Sequence, residues 1–235
     1  MEKKLKEILN RGIILKRVIA KKFILKKDIV IIIPAKNEFS NLKKLLSSLK
    51  KFKIDTLIIN DNSNDKTPQL KQKNLKIRVI NNKISCGYDK SVKIGLKFAK
   101  LKYKFAITID ADYEHDPKYI PLFIKSLKKY DLIIGSRDRK NRYLENLFGL
   151  FFKNIYGIND IFCGYRGIKL KNFKYSLLKN KLDMPSVILN FHKEHQNSLN
   201  IAIKSKDRIG SSRFGNIFTG NIKIFIQFLK IIFSF

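Results

Sequence analysis

From Asp28 onward the chain alternates short apolar runs with longer amphipathic stretches. Residues 29–33, 54–59, 77–80, 105–109 and 132–134 are rich in β-branched and aromatic side chains and read as buried strands. The stretches between them carry apolar residues at helical spacing. Ser40 is placed to cap a helix running through Lys50, and Asp116 followed by Pro117 opens another that continues to about Lys129. A helix over residues 89–100 puts Val92, Leu96 and Ala99 on one face, where Gly95 allows close approach to a strand. Strand alternating with helix predicts an α/β fold, with a mostly parallel sheet covered on both faces. Ligands of such sheets bind beyond the carboxyl ends of the strands.

The two ends follow other patterns. Residues 1–27 hold ten Lys or Arg and two Glu, with Leu5, Ile8, Leu9, Val18 and Ile19 at helix-like spacing. This is a basic amphipathic segment, suited to anionic lipid or to the domain's own surface. Residues 216–235 are strongly apolar but are broken by Lys223, Gln227 and Lys230, so an interfacial helix fits better than a spanning one. The expected organisation is a segment 1–27, one domain over 28–215 and a terminal helix over 216–235. No run reaches the roughly 18 uncharged residues of a membrane span. The expected location is cytoplasmic, peripherally associated with a membrane.

Composition sharpens the choice of partners. At 235 residues and 44% hydrophobic the chain can bury one sizeable core. Its net charge of +31 favours polyanionic surroundings: nucleic acid, an anionic membrane surface or phosphorylated substrates. Cys86 and Cys163 have no metal-ligand spacing and read as packing residues. His115, His192 and His195 read as surface or structural residues.

Chemistry concentrates where strands end. The run Ile107-Thr-Ile-Asp110-Ala-Asp112-Tyr-Glu114-His-Asp116-Pro117 takes a buried strand straight into acids. If the chain stays extended past Ile109, Asp110, Asp112 and Glu114 point the same way. Such carboxylates repel one another unless a cation joins them, and hard oxygen ligands suit Mg²⁺ or Mn²⁺ completed by substrate phosphates. Two further polar loops, residues 60–65 and 34–38, end two other strands. Turn chemistry accounts for their composition, yet three such loops could line one crevice. A non-enzymatic basic protein binding membrane or nucleic acid explains the charge but not the acids, since carboxylates repel phosphate. No nucleic-acid-binding signature is present, and no nucleic-acid partner is expected.

These motifs, in order, resemble the family-2 nucleotide-diphospho-sugar glycosyltransferases, and within them the polyprenyl-phosphate mannosyl- and glucosyltransferases. The resemblance covers residues 30–214. It implies a GT-A type, Rossmann-like three-layer sandwich with amphipathic terminal helices. Pro34, Ala35 and Glu38 resemble the opening nucleotide loop, and Asp61 stands in the base-contacting place, with Asn60 replacing the family's usual first Asp. Cys86-Gly87-Tyr-Asp-Lys90-Ser91 resembles the glycine-containing loop, which places Lys90 with the donor nucleotide. Asp110 and Asp112 match the metal and nucleotide motif, with Glu114 as a further ligand and Asp112 as a catalytic residue. Gly135-Ser136-Arg137 and Asp160-Ile-Phe-Cys-Gly164-Tyr165-Arg166 resemble two more segments. Arg208-Ile-Gly210-Ser-Ser212-Arg213 is similar to the loop that closes over the donor.

The resemblance implies a metal-dependent transferase that uses a nucleotide-diphospho-sugar donor and a polyprenyl-phosphate or other lipid-linked acceptor. Arg137, Arg142, Arg208, Ser212 and Arg213 are the implied phosphate-binding residues. A phosphate acceptor is already a nucleophile at neutral pH. If the acceptor is instead a sugar or protein hydroxyl, Asp160 is the base. The apolar run Leu147-Phe-Gly-Leu-Phe-Phe152 lies on the membrane in lipid-acceptor members; core packing is its other reading.

Overall fold

The computed structural model describes residues 26–70, 73, 75–139, 142–178, 182–206 and 217–233. Among them are seven strands: β1 (Ile29–Ala35), β2 (Asp55–Asn60), β3 (Ile77–Asn81), β4 (Phe105–Thr108), β5 (Leu132–Arg137), β6 (Arg166–Lys169) and β7 (Ser198–Ile203). Six α-helices accompany them: α1 (Phe39–Leu49), α2 (Tyr88–Lys100), α3 (Ile120–Ser126), α4 (Tyr143–Tyr156), α5 (Met184–His195) and α6 (Ile217–Phe233).

The strands form one sheet in the order β3-β2-β1-β4-β6-β5-β7, in which β6 alone runs against its neighbours. Every residue of β1 is buried, as an apolar run covered on both faces requires. Its side chains divide by parity. Ile29, Ile31 and Ile33 join the layer of α1 and α3, while Val30 and Ile32 join the layer of α2, α4, α5 and α6. This is the three-layer sandwich expected. Gly95 lies so close to β1 that a Cβ there would run into Ile32.

Local structure departs from the expected pattern at two helix starts. Helix α1 starts at Phe39 with Glu38 at its N-cap, so Ser40 lies inside the helix and does not cap it. Asp116 does cap, accepting from the Lys118 N–H at 2.9 Å, but it opens a short 3₁₀ turn that passes into α3 and ends by Ser126. Residues 1–25 and 207–216 lie outside the described residues, so the basic N-terminal segment and Arg208, Ser212 and Arg213 receive no structural account. No helix among the described residues is long and apolar enough to cross a membrane.

Candidate active site

The carboxyl ends of β1, β2, β3 and β4 lie side by side, and their loops carry most of the acids singled out above. Because β6 is antiparallel, its start at Arg166 pairs with Thr108 near the end of β4. The residues before it, 160–165, therefore arrive at this same end of the sheet. Asp160 and Gly164 thus meet Asp110 and Arg137 through topology.

Asp61 is the hub of one side. Its Oδ1 accepts from the Cys86 N–H at 2.7 Å and Asn82 Nδ2 at 3.0 Å, and its Oδ2 accepts from Ser85 Oγ at 2.9 Å and the Gly87 N–H at 3.0 Å. Burial alone would raise its pKa, but these hydrogen bonds outweigh burial and hold the carboxyl far below the usual range. The loop after β1 is stitched to the loop after β2. Asn37 donates its N–H to Ser63 Oγ and accepts from the Asn64 N–H, both at 2.8 Å, while Asp65 accepts from the Phe39 N–H at 2.9 Å. Glu38 is buried beside them and accepts from Asn41 Nδ2 at 2.7 Å. Pro34 and Ala35 are buried at the end of β1, and Lys90 is exposed on the first turn of α2.

The acidic run after β4 does not stay extended. The chain turns at Ala111 and Asp112, and Tyr113 sits at φ 65°, a left-handed conformation that strains a bulky residue. Tyr113 is held there by a 2.8 Å bond between its hydroxyl and Ser48 Oγ, and by Lys206 Nζ 4.3 Å above its ring. The turn breaks the alternation expected of Asp110, Asp112 and Glu114. Buried Asp112 accepts from the Glu114 N–H at 3.1 Å, whereas the Glu114 carbonyl accepts from the Lys206 N–H at 2.9 Å. Burial raises the Glu114 pKa, and the neighbouring Asp112 and Asp110 add to it against the pull of His115 and Arg137.

Asp110 takes two partners that motif reasoning did not foresee. Tyr88 donates its hydroxyl to Oδ1 at 2.9 Å, and His115 Nδ1 lies 3.6 Å from Oδ2. His115 is buried, with Nε2 3.6 Å from Cys163 Sγ. Burial disfavours its charge, but Cys163, Asp110 and Asp112 outweigh that and push its pKa up to about 9. Helix spacing supplied no signal for Tyr88, but His115 follows the acidic motif directly and could have been flagged as a counter-charge. Gly164 faces the same carboxylate, and a Cβ there would collide with both oxygens of Asp110 and with the Tyr88 hydroxyl.

Among the described residues no three His, Cys, Asp or Glu side chains converge to hold a metal by themselves. Asp110 and Asp112 nevertheless offer hard oxygen donors two residues apart, and Gly164 keeps Asp110 uncovered. Such a pair fits Mg²⁺ or Mn²⁺, which takes the rest of its shell from water and substrate phosphates.

The opposite side of the site is ionic. Arg137 grips Asp160 with Nε to Oδ2 at 2.8 Å and Nη2 to Oδ1 at 3.1 Å, and its own N–H adds a 3.3 Å bond to Oδ2. Burial opposes the Arg137 charge, but Asp160 and Glu145 among its neighbours more than restore it. Glu145, in the first turn of α4, reaches Arg137 Nη2 at 3.4 Å and Arg142 Nη1 at 3.0 Å. Glu145 did not figure among the expected site residues, because only the tertiary fold brings Arg137 to it.

Comparison with known proteins identifies the family. Residues 30–183 match the family described as glycosyl transferase family 2. An uncharacterized protein of Methanocaldococcus jannaschii is 33% identical over 171 residues, 62% of this chain and 75% of that one. A dolichol-phosphate mannosyltransferase of Pyrococcus furiosus is 32% identical over 124 residues, 49% of this chain and 35% of that one. Among solved structures, S. aureus TarS 1–349 has a TM-score of 0.55 at 16% identity, covering 88% of this chain and 72% of that one. The 4-diphosphocytidyl-2C-methyl-D-erythritol synthase of Anaerococcus prevotii has a TM-score of 0.54 at 13% identity, covering 85% and 96%. Likeness at such low identity speaks for the fold alone.

Proposed function

The chain belongs to glycosyl transferase family 2, and from that premise we propose that it moves a sugar from a nucleotide-diphospho-sugar to a polyprenyl-phosphate lipid at a membrane surface. The observation that carries the lipid part is helix α4. Arg142 forms its N-cap, while Tyr143, Leu147 and Leu150 lie exposed at helical spacing along it. Helix α6 packs beside α4 through Phe148 and Phe228, stacked at 3.9 Å, and exposes Phe225, Ile226 and Phe233. A cationic head group and an apolar face on one element match an acceptor with a phosphate at one end and hydrocarbon at the other. With a net charge of +31, the chain would also be drawn to anionic lipid. The partial likeness to the Pyrococcus enzyme points the same way.

The phosphate reading is favoured over a hydroxyl acceptor by the state of Asp160. That carboxylate is 1% exposed and engaged by Arg137, a poor position for taking a proton from an alcohol. A phosphate oxygen needs no such base. It would form the new bond to the sugar's anomeric carbon as the bond from that carbon to the donor diphosphate breaks. Asp110 and Asp112 would hold the divalent cation, which neutralises charge building on the leaving diphosphate. Tyr88 and His115 hold the Asp110 carboxylate in place. The ordered loops around Asp61, with Pro34, Ala35, Glu38 and Lys90, would flank the nucleoside. Arg142, with Arg137 behind it, would bind the acceptor phosphate. Arg208, Ser212 and Arg213 would close over the donor.

A direct test incubates purified protein with UDP- and GDP-sugars and either a short polyprenyl phosphate or the matching alcohol. The phosphate should be glycosylated in Mg²⁺ or Mn²⁺ and the alcohol should not. Transfer to the alcohol at a comparable rate would return the hydroxyl reading.

A further inference from the structure

The ionic cluster at the start of α4 carries one inference that rests on the phosphate-acceptor reading and goes further. Glu145 is 5% exposed and bridges two arginines, with Oε1 3.0 Å from Arg142 Nη1 and Oε2 3.4 Å from Arg137 Nη2. Asp160 makes a different kind of contact. It takes two guanidinium bonds and a backbone bond from Arg137, a pairing that fixes that side chain. Glu145 instead spans two separate cations with one contact to each. Helix α6 closes the cluster from outside: a Cβ at Gly220 would run into Arg142 Nε, and the Leu144 N–H reaches Asn221 Oδ1 at 3.4 Å.

We propose that Glu145 is an internal placeholder for the acceptor's phosphate, occupying Arg137 and Arg142 until a more strongly charged anion displaces it. Among the described residues the cluster sets the carboxylates of Asp160 and Glu145 against the guanidiniums of Arg137 and Arg142. A phosphate dianion arriving beside it would compete with these carboxylates for the same guanidiniums in a poorly solvated place, where crowded anions are costly unless one carboxylate withdraws. Asp160 is held by three bonds and Glu145 by single contacts, so Glu145 is the one that swings away. An uncharged alcohol offers the arginines nothing to replace the lost ion pairs. Glu145 therefore acts as a selectivity element, admitting phosphates and refusing alcohols without itself touching the reacting atoms.

Calorimetric titration with farnesyl phosphate, and with farnesol as its uncharged twin, tests the placeholder. Glu145→Gln should bind farnesyl phosphate about tenfold more tightly than the parent, because a competing negative charge is gone. Glu145→Asp draws the carboxylate back by one methylene and should tighten binding by about threefold. Farnesol should not respond, and unchanged affinity for a nucleoside diphosphate reports an intact site. Unchanged or weaker farnesyl phosphate binding in both variants, with donor affinity intact, overturns the placeholder. Arg142→Ala separates the two levels of the argument. If it weakens farnesyl phosphate binding while the Glu145 variants show no gain, the placeholder alone fails. If it has no effect, the phosphate reading fails as well.

Discussion

Two carboxylate hubs stand at the same end of the sheet and are built on opposite principles. Asp61 is surrounded by neutral donors, two backbone N–H groups and the side chains of Asn82 and Ser85, all supplied by residues 82–87. Asp160 and Glu145 face guanidiniums. Backbone donors cannot be exchanged for another anion without dismantling the loop, so Asp61 builds structure. Guanidiniums can pass from one anion to another, so the ionic hub can be rearranged by a ligand. The first organises the loops around the proposed donor, and the second stands where the proposed acceptor would dock.

The largest expected effect comes from uncoupling the ionic hub. Asp160→Ala leaves Arg137 buried without its bidentate partner and should cost about 3–5 kcal/mol in urea unfolding. A loss below about 1 kcal/mol would mean that water reaches Arg137 freely, in conflict with its burial.

Removing the other hub should cost somewhat less. Asp61→Ala removes a buried charged acceptor from four donors that are themselves half-buried or exposed, and should destabilise by about 1–3 kcal/mol. Its pH dependence identifies the cause. The folded pKa of Asp61 lies below its unfolded value, so the carboxylate's contribution is complete above the ordinary value near pH 4 and fades as pH falls through the depressed one. The stability gap between parent and Asp61→Asn should therefore narrow in acid, a trend measurable by unfolding between pH 6 and pH 2. A gap that stays constant with pH would show that the bonds matter but the charge does not.

A smaller effect is expected at Arg142. Arg142→Ala should weaken acceptor phosphate binding by about 2 kcal/mol, the worth of a charge-assisted contact, while donor affinity is retained. Loss of donor affinity instead would blur the division between the hubs.

The smallest expected effect is at Gly220. An alanine in a helix interior normally stabilises relative to glycine by up to about 1 kcal/mol. Here the new methyl meets Arg142, so Gly220→Ala should destabilise by about 1 kcal/mol instead. A thermal melt above the parent's would show that Arg142 moves aside at little expense.

Much of the frame was legible before folding. The runs that became β1 to β5 are apolar and β-branched, and burial on both faces demands such residues wherever they occur. β6 and β7 escaped notice because Arg166-Gly167-Ile168-Lys169 and Ser198-Leu-Asn-Ile-Ala-Ile203 mix polar with apolar positions, and their pairing comes from neighbours distant in sequence. The acidic motif was recognisable by composition, but its shape was not. An extended reading of Asp110 to Glu114 failed at Tyr113, whose left-handed turn is held by Ser48 and Lys206.

By itself the sequence determined the layer architecture, the position of the acidic loops at strand ends and the apolar character of α4 and α6. These follow from periodicity and residue chemistry, which are local. Only the tertiary structure decided what each charge does. Asp61 became a loop anchor, Asp160 a partner of Arg137, and Glu145 a bridge between two arginines. The reversed direction of β6 brings residues 160–165 back to the carboxyl ends of the parallel strands, and no local pattern encodes that direction. A side chain's charge is written in the sequence, but its energy depends on burial and on the counter-charges that distant segments supply.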